Sequence, residues 1–517
     1  SNKNKKQQVS DFTKVAGIEE VEEKNVMEEH VVLENDFLKL TLNTHGLLLD
    51  NLELKKYQKS VKDESFVRLL TNEKDKQYYI KNVWVAFNKG DEMPDENTLW
   101  TVNKEISSKD KLVFQFINKQ NVVFTTEFSF DEQYLLTIKH NVENKSGKDV
   151  QLKPVLEIVR RDVFNREEGG TYNGGIGVFK KNEVKEIKSS KLKKSNIEYD
   201  KFKWGGFTSK YWLVTVINKD MDNGMINFLK DDKDVKAQYT VKNVILPPNE
   251  QTVYEMELFL GAKDKKILGN YETKNNFTLF GRSIDYGVFF FLTRPMTIML
   301  NLLFSIVKDF GLSIILLTLI VKLLLYPTVK KTSISMRGMK VLQPKLKEIQ
   351  LRYKEDKQMM QKEIMKLYRS QKVNPLGSLT PIIIQIPIFF SLYKVLSISL
   401  EMRQANFFMF VNDLSVADPS NIINLFGLLP FDIGFRIGLL PTLMAFTMFV
   451  QQKVMNALQG NVNESEEMKT ANSINRWLPL ILLFTFSGLP SGLLLYWTMN
   501  NIISIIQQVY IERKYLK

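Results

Sequence analysis

The chain has 517 residues, of which 44% are hydrophobic and 25% charged, with a mean hydropathy of −0.18 and a formal net charge of +13. Such averages describe an ordinary soluble protein, and they conceal two unlike halves. Cysteine is absent, which excludes disulfides, thiolate nucleophiles, iron–sulfur clusters and cysteine-based zinc sites, while the surplus of positive charge points to anionic headgroups, nucleic acid or an acidic partner.

Residues 1–29 are polar and charged, lack an apolar run of signal-peptide length and read as a tether. If the next region lies outside the cytoplasm, a signal or an amino-terminal membrane anchor is expected ahead of residue 1. Residues 30–280 carry short alternating runs such as FLKLTLNTHG, VVFTTEFSF, YLLTIKHNVEN and VYEMELFLG, separated by turn chemistry near Gly90, Gly147 and Pro247. These are strands of an antiparallel sheet, and some 250 residues of them are most economically one large β-sandwich.

Chemistry is scarce in that domain. The glycine-rich run Gly169–Gly177 lacks the Gly-Lys-Ser/Thr of a phosphate loop and reads as a hairpin or loop. His30, His45 and His140, the only histidines, have no carboxylate at ligand spacing and read as surface or loop residues, so no metal site is expected.

Residues 281–308 contain an apolar segment interrupted by Arg294, Pro295 and Asn301; a proline beside an arginine favours an amphipathic helix along the membrane interface over a span. Residues 309–517 then hold the membrane candidates Phe310–Tyr326, Leu379–Leu400, Ile437–Val454 and Trp477–Ile506. The last is too long for one crossing and carries Leu489-Pro490-Ser491-Gly492 near its middle, so it divides into two, giving five spans.

Basic residues orient them. Thr328–Lys372 carries thirteen Lys or Arg against four acids, whereas Glu401–Phe435 has only Arg403 against four acids. The first loop is therefore cytoplasmic, the second external, and five spans with a cytoplasmic carboxyl end place the β-domain outside, in the periplasm of a two-membrane bacterium. Within residues 328–374, Leu342, Leu346, Ile349 and Tyr353, then Met360, Ile364 and Leu367, repeat at helical spacing. Two amphipathic helices folded into a cytoplasmic hairpin are implied. Lys340, Lys345, Lys347, Arg352, Lys354, Lys357 and Lys362 would give it a docking surface for headgroups, ribosomal RNA or an acidic partner, or simply a solvated face.

The sharpest residue is Lys322, in SIILLTLIVKLLLYP, expected to be the one buried cation of the helical core. An ammonium there must snorkel to the interface, past Tyr326, or occupy a wet cavity. Polar groups in neighbouring segments, Thr318, Gln385, Ser391, Tyr393, Gln451, Gln452, Thr498, Asn500 and Asn501, favour the cavity. No Asp or Glu lies within a confident span, so a cation lacking its counter-ion suits an acidic substrate better than ion-coupled transport.

The stretches GLSIILLTLIVKLLLYP, LQPKLKEI, EIMKLYRSQKVNPLGSLTPIIIQIPIFFSLYKVL, LEMRQANFFMFVNDLSVADP, WLPLILLFTFSGLPSGLLLYW and NIISIIQQ, in this order over about 210 residues from Gly311, resemble the YidC branch of the YidC/Oxa membrane protein insertases. ENDFLKLTLNTHGLLLDNLELKKY and SIDYGVFFFLTRP are similar to the large periplasmic domain and interfacial helix of its Gram-negative members. The resemblance implies an inner-membrane insertase and chaperone that is not an enzyme, with no cofactor and no nucleotide. Its groove, open to cytoplasm and lipid, would receive nascent membrane proteins. Lys322 matches the position of the groove cation, where the family generally has arginine; lysine lacks the planar fork for bidentate carboxylate binding. By the same match Thr318, Phe389, Met448, Tyr496 and Trp497 line the groove, with Gln385 nearby, and the hairpin meets the ribosome, its targeting factors or the Sec translocon. The fold class expected is α+β: a large extracytoplasmic antiparallel β-sandwich followed by a five-helix transmembrane core with a cytoplasmic helical hairpin. A secondary transporter would need coupled intramembrane carboxylates, and a membrane-anchored sugar-binding or carbohydrate-active protein would need paired acids in the sandwich.

Overall fold

The computed structural model describes residues 30–515 apart from 75–76, 89, 162–169, 193–195, 221, 372–379, 408–410, 429–435 and 460–476. The tether, the whole of the VNPLG motif at residues 373–377 and the segment before Trp477 lie outside the described residues.

Alternation of apolar and polar residues sets the first half. In Leu38–Asn43 the three leucines are buried and the intervening residues are not, because successive side chains of a strand point to opposite faces. A ten-stranded sheet runs from His30–Glu34 at one end, through Val150–Arg161 between Tyr78–Ala86 and Asp234–Val241, to Ile197–Tyr199. A nine-stranded sheet has Gln251–Ala262 and Leu135–Asn144 near its centre and Val184–Ile187 at one edge. The strand pairs are antiparallel throughout, for example Val155 opposite Thr240 and Leu258 opposite Leu136. Between the sheets lies one core with Phe114, Phe124, Phe128, Trp204, Phe207 and Phe259 fully buried, each ring stabilising the fold by roughly 1.5–3 kcal/mol. The domain is thus one large antiparallel β-sandwich, as its patterning indicates.

Two local readings are settled, one by choosing between its alternatives and one by correction. The second part of the glycine-rich run belongs to a hairpin rather than a loop: Gly174–Phe179 is a fully buried strand paired antiparallel with Val184–Ile187, and a Cβ added at Gly177 would meet the Trp204 carbonyl, so small residues serve close sheet packing there. His140 is not on the surface but 2% exposed inside the sandwich. Its Nδ1 pairs with the Thr126 hydroxyl at 2.9 Å, and its ring lies edge-on to Trp84 at 5.2 Å.

The helices follow. α1 (Lys265–Lys274) is capped by Asp264, whose carboxylate accepts the backbone N–H groups of Lys266 and Ile267. α2 (Phe290–Val307) buries Thr293, Met296, Thr297 and Leu300 while exposing Phe291, Ile298, Leu302 and Ile306. α3 (Phe310–Arg352) starts at the Asp309 cap, and α4 (Lys357–Ser370) at Asp356. Next come α5 (Thr380–Ile398), α6 (Leu439–Gln459), α7 (Trp477–Phe486) and α8 (Ser491–Tyr515). The apolar segment and the first amphipathic helix of the basic loop are one 43-residue helix, running without a break through Pro327 and Pro344. Each proline removes a single backbone donor, which a helix held by its neighbours tolerates. Among the described residues, Phe290–Val307 and the Phe310–Ser335 part of α3 are long and apolar enough to cross a membrane; Ile383–Ile398 and Trp477–Phe486 are shorter apolar helices.

The helices pack around Ile314, Leu317, Leu392, Val395, Met444, Leu493 and Leu494. Close approach at the start of α3 requires Gly311, since a Cβ there would run into the Phe407 ring.

Candidate functional site: a polar cavity beside Lys322

A cavity of about 530 Å³ lies among α3, α5, α6 and α8. α3 contributes Lys322, Thr328, Thr332 and Ser333, α5 contributes Gln385 and Phe389, and α6 contributes Met448 and Gln451. α8 supplies Tyr496, Trp497 and a stripe of Asn500, Asn501, Ser504, Gln507 and Gln508. The stripe follows helical geometry, because residues four, seven and eight apart share one face.

Lys322 is 7% exposed. Its Nζ donates to Ser504 Oγ at 2.9 Å, and the Ser504 hydroxyl in turn donates to the Asn500 carbonyl at 2.7 Å. Gln507 Nε2 donates to the Lys322 backbone carbonyl at 3.0 Å. The ammonium therefore leans on a neutral oxygen of α8, the Ser504 hydroxyl, and pairs with no carboxylate among the described residues. Across the cavity Gln385 Nε2 donates to the Tyr496 hydroxyl at 3.2 Å, and Phe389 meets Trp497 edge-on at 4.9 Å.

Six of the seven residues expected around the groove therefore line one cavity. Thr318 is the exception: it is 1% exposed and donates its hydroxyl to the Ile314 carbonyl at 2.7 Å, one turn back in its own helix. Ser391, Tyr393, Gln452 and Thr498 do not line the cavity, whereas Ser504, Gln507 and Gln508 were missed. The polar spacing 500, 501, 504, 507, 508 in the sequence is the signal that finds them.

The expectation of one buried cation is also corrected. Lys394, in α5, is 7% exposed; its Nζ donates to Asp285 Oδ2 at 2.6 Å and approaches the Gly170 carbonyl at 3.4 Å. Burial alone would raise the Asp285 pKa. The Lys394 hydrogen bond and charge, with the N–H groups of Gly287 and Tyr172, overcome it and hold the carboxyl below the usual range. A second junction lies beyond α5, where Arg403 stacks over Trp212 at 5.2 Å and donates to the Gln58 carbonyl at 3.2 Å.

On the basic helices Lys345, Lys347, Arg352, Lys357 and Lys362 are exposed, as is Lys354 in the turn between them. Lys340 lies on α3. Arg337 pairs with Glu512 of α8 at 2.9 Å. Among the described residues no group of three or more His, Asp or Glu is placed to hold a metal ion.

A large antiparallel β-sandwich is joined to an apolar helical bundle with a polar, cation-bearing cavity, and two of its described helices are long and apolar enough to cross a membrane; this is the architecture of a membrane protein with a large β-domain. Two family descriptions match the chain: YidC periplasmic domain over residues 30–299 and 60Kd inner membrane protein over residues 302–517. The membrane protein insertase YidC of Rickettsia africae is 37% identical over 98% of this chain and 91% of its own length; that of Rickettsia bellii is 35% identical over 93% and 87%. A crystal structure of an active YidC insertase, 18% identical, covers 93% of this chain and 92% of its own, with a TM-score of 0.37. The chain belongs to the YidC family of membrane protein insertases.

Proposed function

We propose that the cavity beside Lys322 is the groove that receives hydrophilic parts of substrate proteins, and that apolar segments leave it sideways into lipid. The observation that carries this reading is a buried ammonium facing a stripe of neutral amides and hydroxyls inside an otherwise apolar bundle. A polar segment entering hydrocarbon loses its hydration; a wet cationic groove offsets part of that cost. An acidic segment gains a charge partner as well. Burial of apolar spans in lipid supplies the driving force, so the reading needs no nucleotide hydrolysis.

In this reading α3, α5, α6, α7 and α8 are five spans, α2 lies along the interface, the sandwich is periplasmic and the α3–α4 hairpin is cytoplasmic. Lys345, Lys347, Arg352, Lys354, Lys357 and Lys362, with Lys340, then form the docking surface for the ribosome, its targeting factors or the Sec translocon. The exposure of Lys345, Lys347, Arg352, Lys354, Lys357 and Lys362 supports this.

The test is reconstitution in liposomes with a small single-span substrate bearing an acidic tail. Insertion is expected to survive Lys322→Arg, weaken in Lys322→Ala and fail in Lys322→Glu at equal protein levels. Equal insertion by all four proteins would remove Lys322 from the mechanism.

A further inference from the structure

The strand Val184–Ile187 forms one edge of the nine-stranded sheet, and it is flanked by lysines. Lys180, Lys181, Lys185, Lys188 and Lys191 are all exposed. Lys180 pairs with Asp200 at 2.7 Å, and Lys185 lies over the Tyr199 ring at 5.3 Å. Lys181, Lys188 and Lys191 have no ion-pair partner among the described residues.

The structure also fixes where this edge lies. The Tyr172 hydroxyl donates to the Ile187 carbonyl at 2.8 Å, and the Tyr172 backbone N–H donates to Asp285 at 3.3 Å. Asp285 in turn holds Lys394, one turn before the end of α5 at Ile398. The edge strand is therefore a single tyrosine away from the place where the apolar helices meet the sandwich. Beside that place Val288, Phe290 and Phe291 are 86%, 57% and 61% exposed, while Arg282 is exposed on the sandwich side. Exposed apolar side chains at the helix junction, with unpaired cations along the sheet edge that runs from it, match the layering of a bilayer surface, with acyl chains below and phosphates above.

We propose that this basic edge is a docking surface for anionic phospholipid headgroups, on which the sandwich rests against the membrane. The inference depends on the reading that α5 crosses the bilayer with its Ile398 end at the sandwich side. Lipid is favoured over an acidic protein because the end of the edge that carries Lys188, next to Ile187, is tied through Tyr172 and Asp285 to the helix junction, where Val288, Phe290 and Phe291 are exposed. Each unpaired lysine near an anionic surface strengthens association by about fivefold at low ionic strength, an effect that salt screens.

Because the chain has no cysteine, single labels are clean. The full chain, in nanodiscs of phosphatidylcholine alone or mixed with phosphatidylglycerol, would carry a fluorophore at Glu183→Cys and, separately, at Phe290→Cys. Quenching by headgroup-nitroxide lipid would be read with and without Lys181→Gln/Lys188→Gln/Lys191→Gln. The expected result is quenching at Glu183→Cys that increases several-fold with phosphatidylglycerol and falls to the phosphatidylcholine level in the triple variant or in high salt. Quenching at Phe290→Cys should be the same throughout. Lipid-independent quenching at Glu183→Cys, or a lipid response that survives the triple substitution, would overturn the proposal and leave an acidic protein as the partner to seek. Absence of quenching at Phe290→Cys would overturn the membrane placement on which it rests.

Discussion

Lys394 and Asp285 are 109 residues apart and meet at 2.6 Å, joining α5, whose other half lines the cavity, to the segment that leads out of the sandwich. The lysine stem lies against Gly287, and the carboxylate also accepts the Gly287 and Tyr172 backbone N–H groups. A charge on an apolar helix is tolerated here because its counter-charge comes from the other half of the chain.

Breaking that pair should destabilise the protein. Lys394→Met is expected to cost about 3 kcal/mol, the lower end for removing one partner of a buried pair, because Asp285 keeps some water contact. Thermal unfolding in detergent checks it, and Lys394→Asp with Asp285→Lys should recover part of the loss. Since the folded-state pKa of Asp285 is lowered, its contribution is present above the unfolded value of about 3.9 and is lost as pH falls through the folded value.

His140 should impose a second, milder acid dependence. Burial pushes its pKa down to about 4, so between the unfolded value of about 6.5 and that value the unfolded chain binds the extra proton. Stability should fall by something on the order of 3 kcal/mol as pH drops across this window. In His140→Gln the slope across the same window should flatten. An unchanged slope would assign the acid response to other groups.

The Lys322–Ser504 contact predicts a separable effect. Ser504→Ala removes a hydrogen bond to a charged group, expected to cost about 1.5–3 kcal/mol. Insertion of an acidic-tailed substrate should suffer more than that of a neutral one if the serine orients the ammonium. Equal losses for the two substrates would reduce Ser504 to a packing role.

Gly311→Ala should be damaging despite alanine's higher helix propensity, because the new methyl meets the Phe407 ring. Overpacking of this kind costs about 1–3 kcal/mol. Adding Phe407→Leu is expected to restore part of the melting temperature lost by Gly311→Ala.

Much was legible in the chain because it depends on local periodicity. Alternation at Leu38, Leu40 and Leu42 marks a half-buried strand wherever its partners lie. Lys322 stands out because an ammonium amid fourteen apolar or hydroxyl neighbours is anomalous by composition alone. The turn before Ser491 follows from Pro490 and Gly492. Gln385, Phe389, Met448, Tyr496 and Trp497 were named together by the resemblance to a known family, and all five line the cavity.

Partnership is not a local property, and there the tertiary structure decided. His140 reads as a surface residue because an isolated histidine usually faces water, and only the opposing Thr126 and Trp84 show what satisfies it on the inner face. Lys394 passes as an ordinary polar interruption until Asp285 arrives from the other domain. Thr318 lies one turn from Lys322, yet its hydroxyl bonds back to Ile314 and leaves the cavity to Ser504. The sequence alone determined which segments are strands and which are apolar helices, since burial on one face imposes a period. Which polar group answers which was set by long-range packing, because a buried charge or hydroxyl is stabilised by whatever oxygen or nitrogen the fold brings within about 3 Å of it.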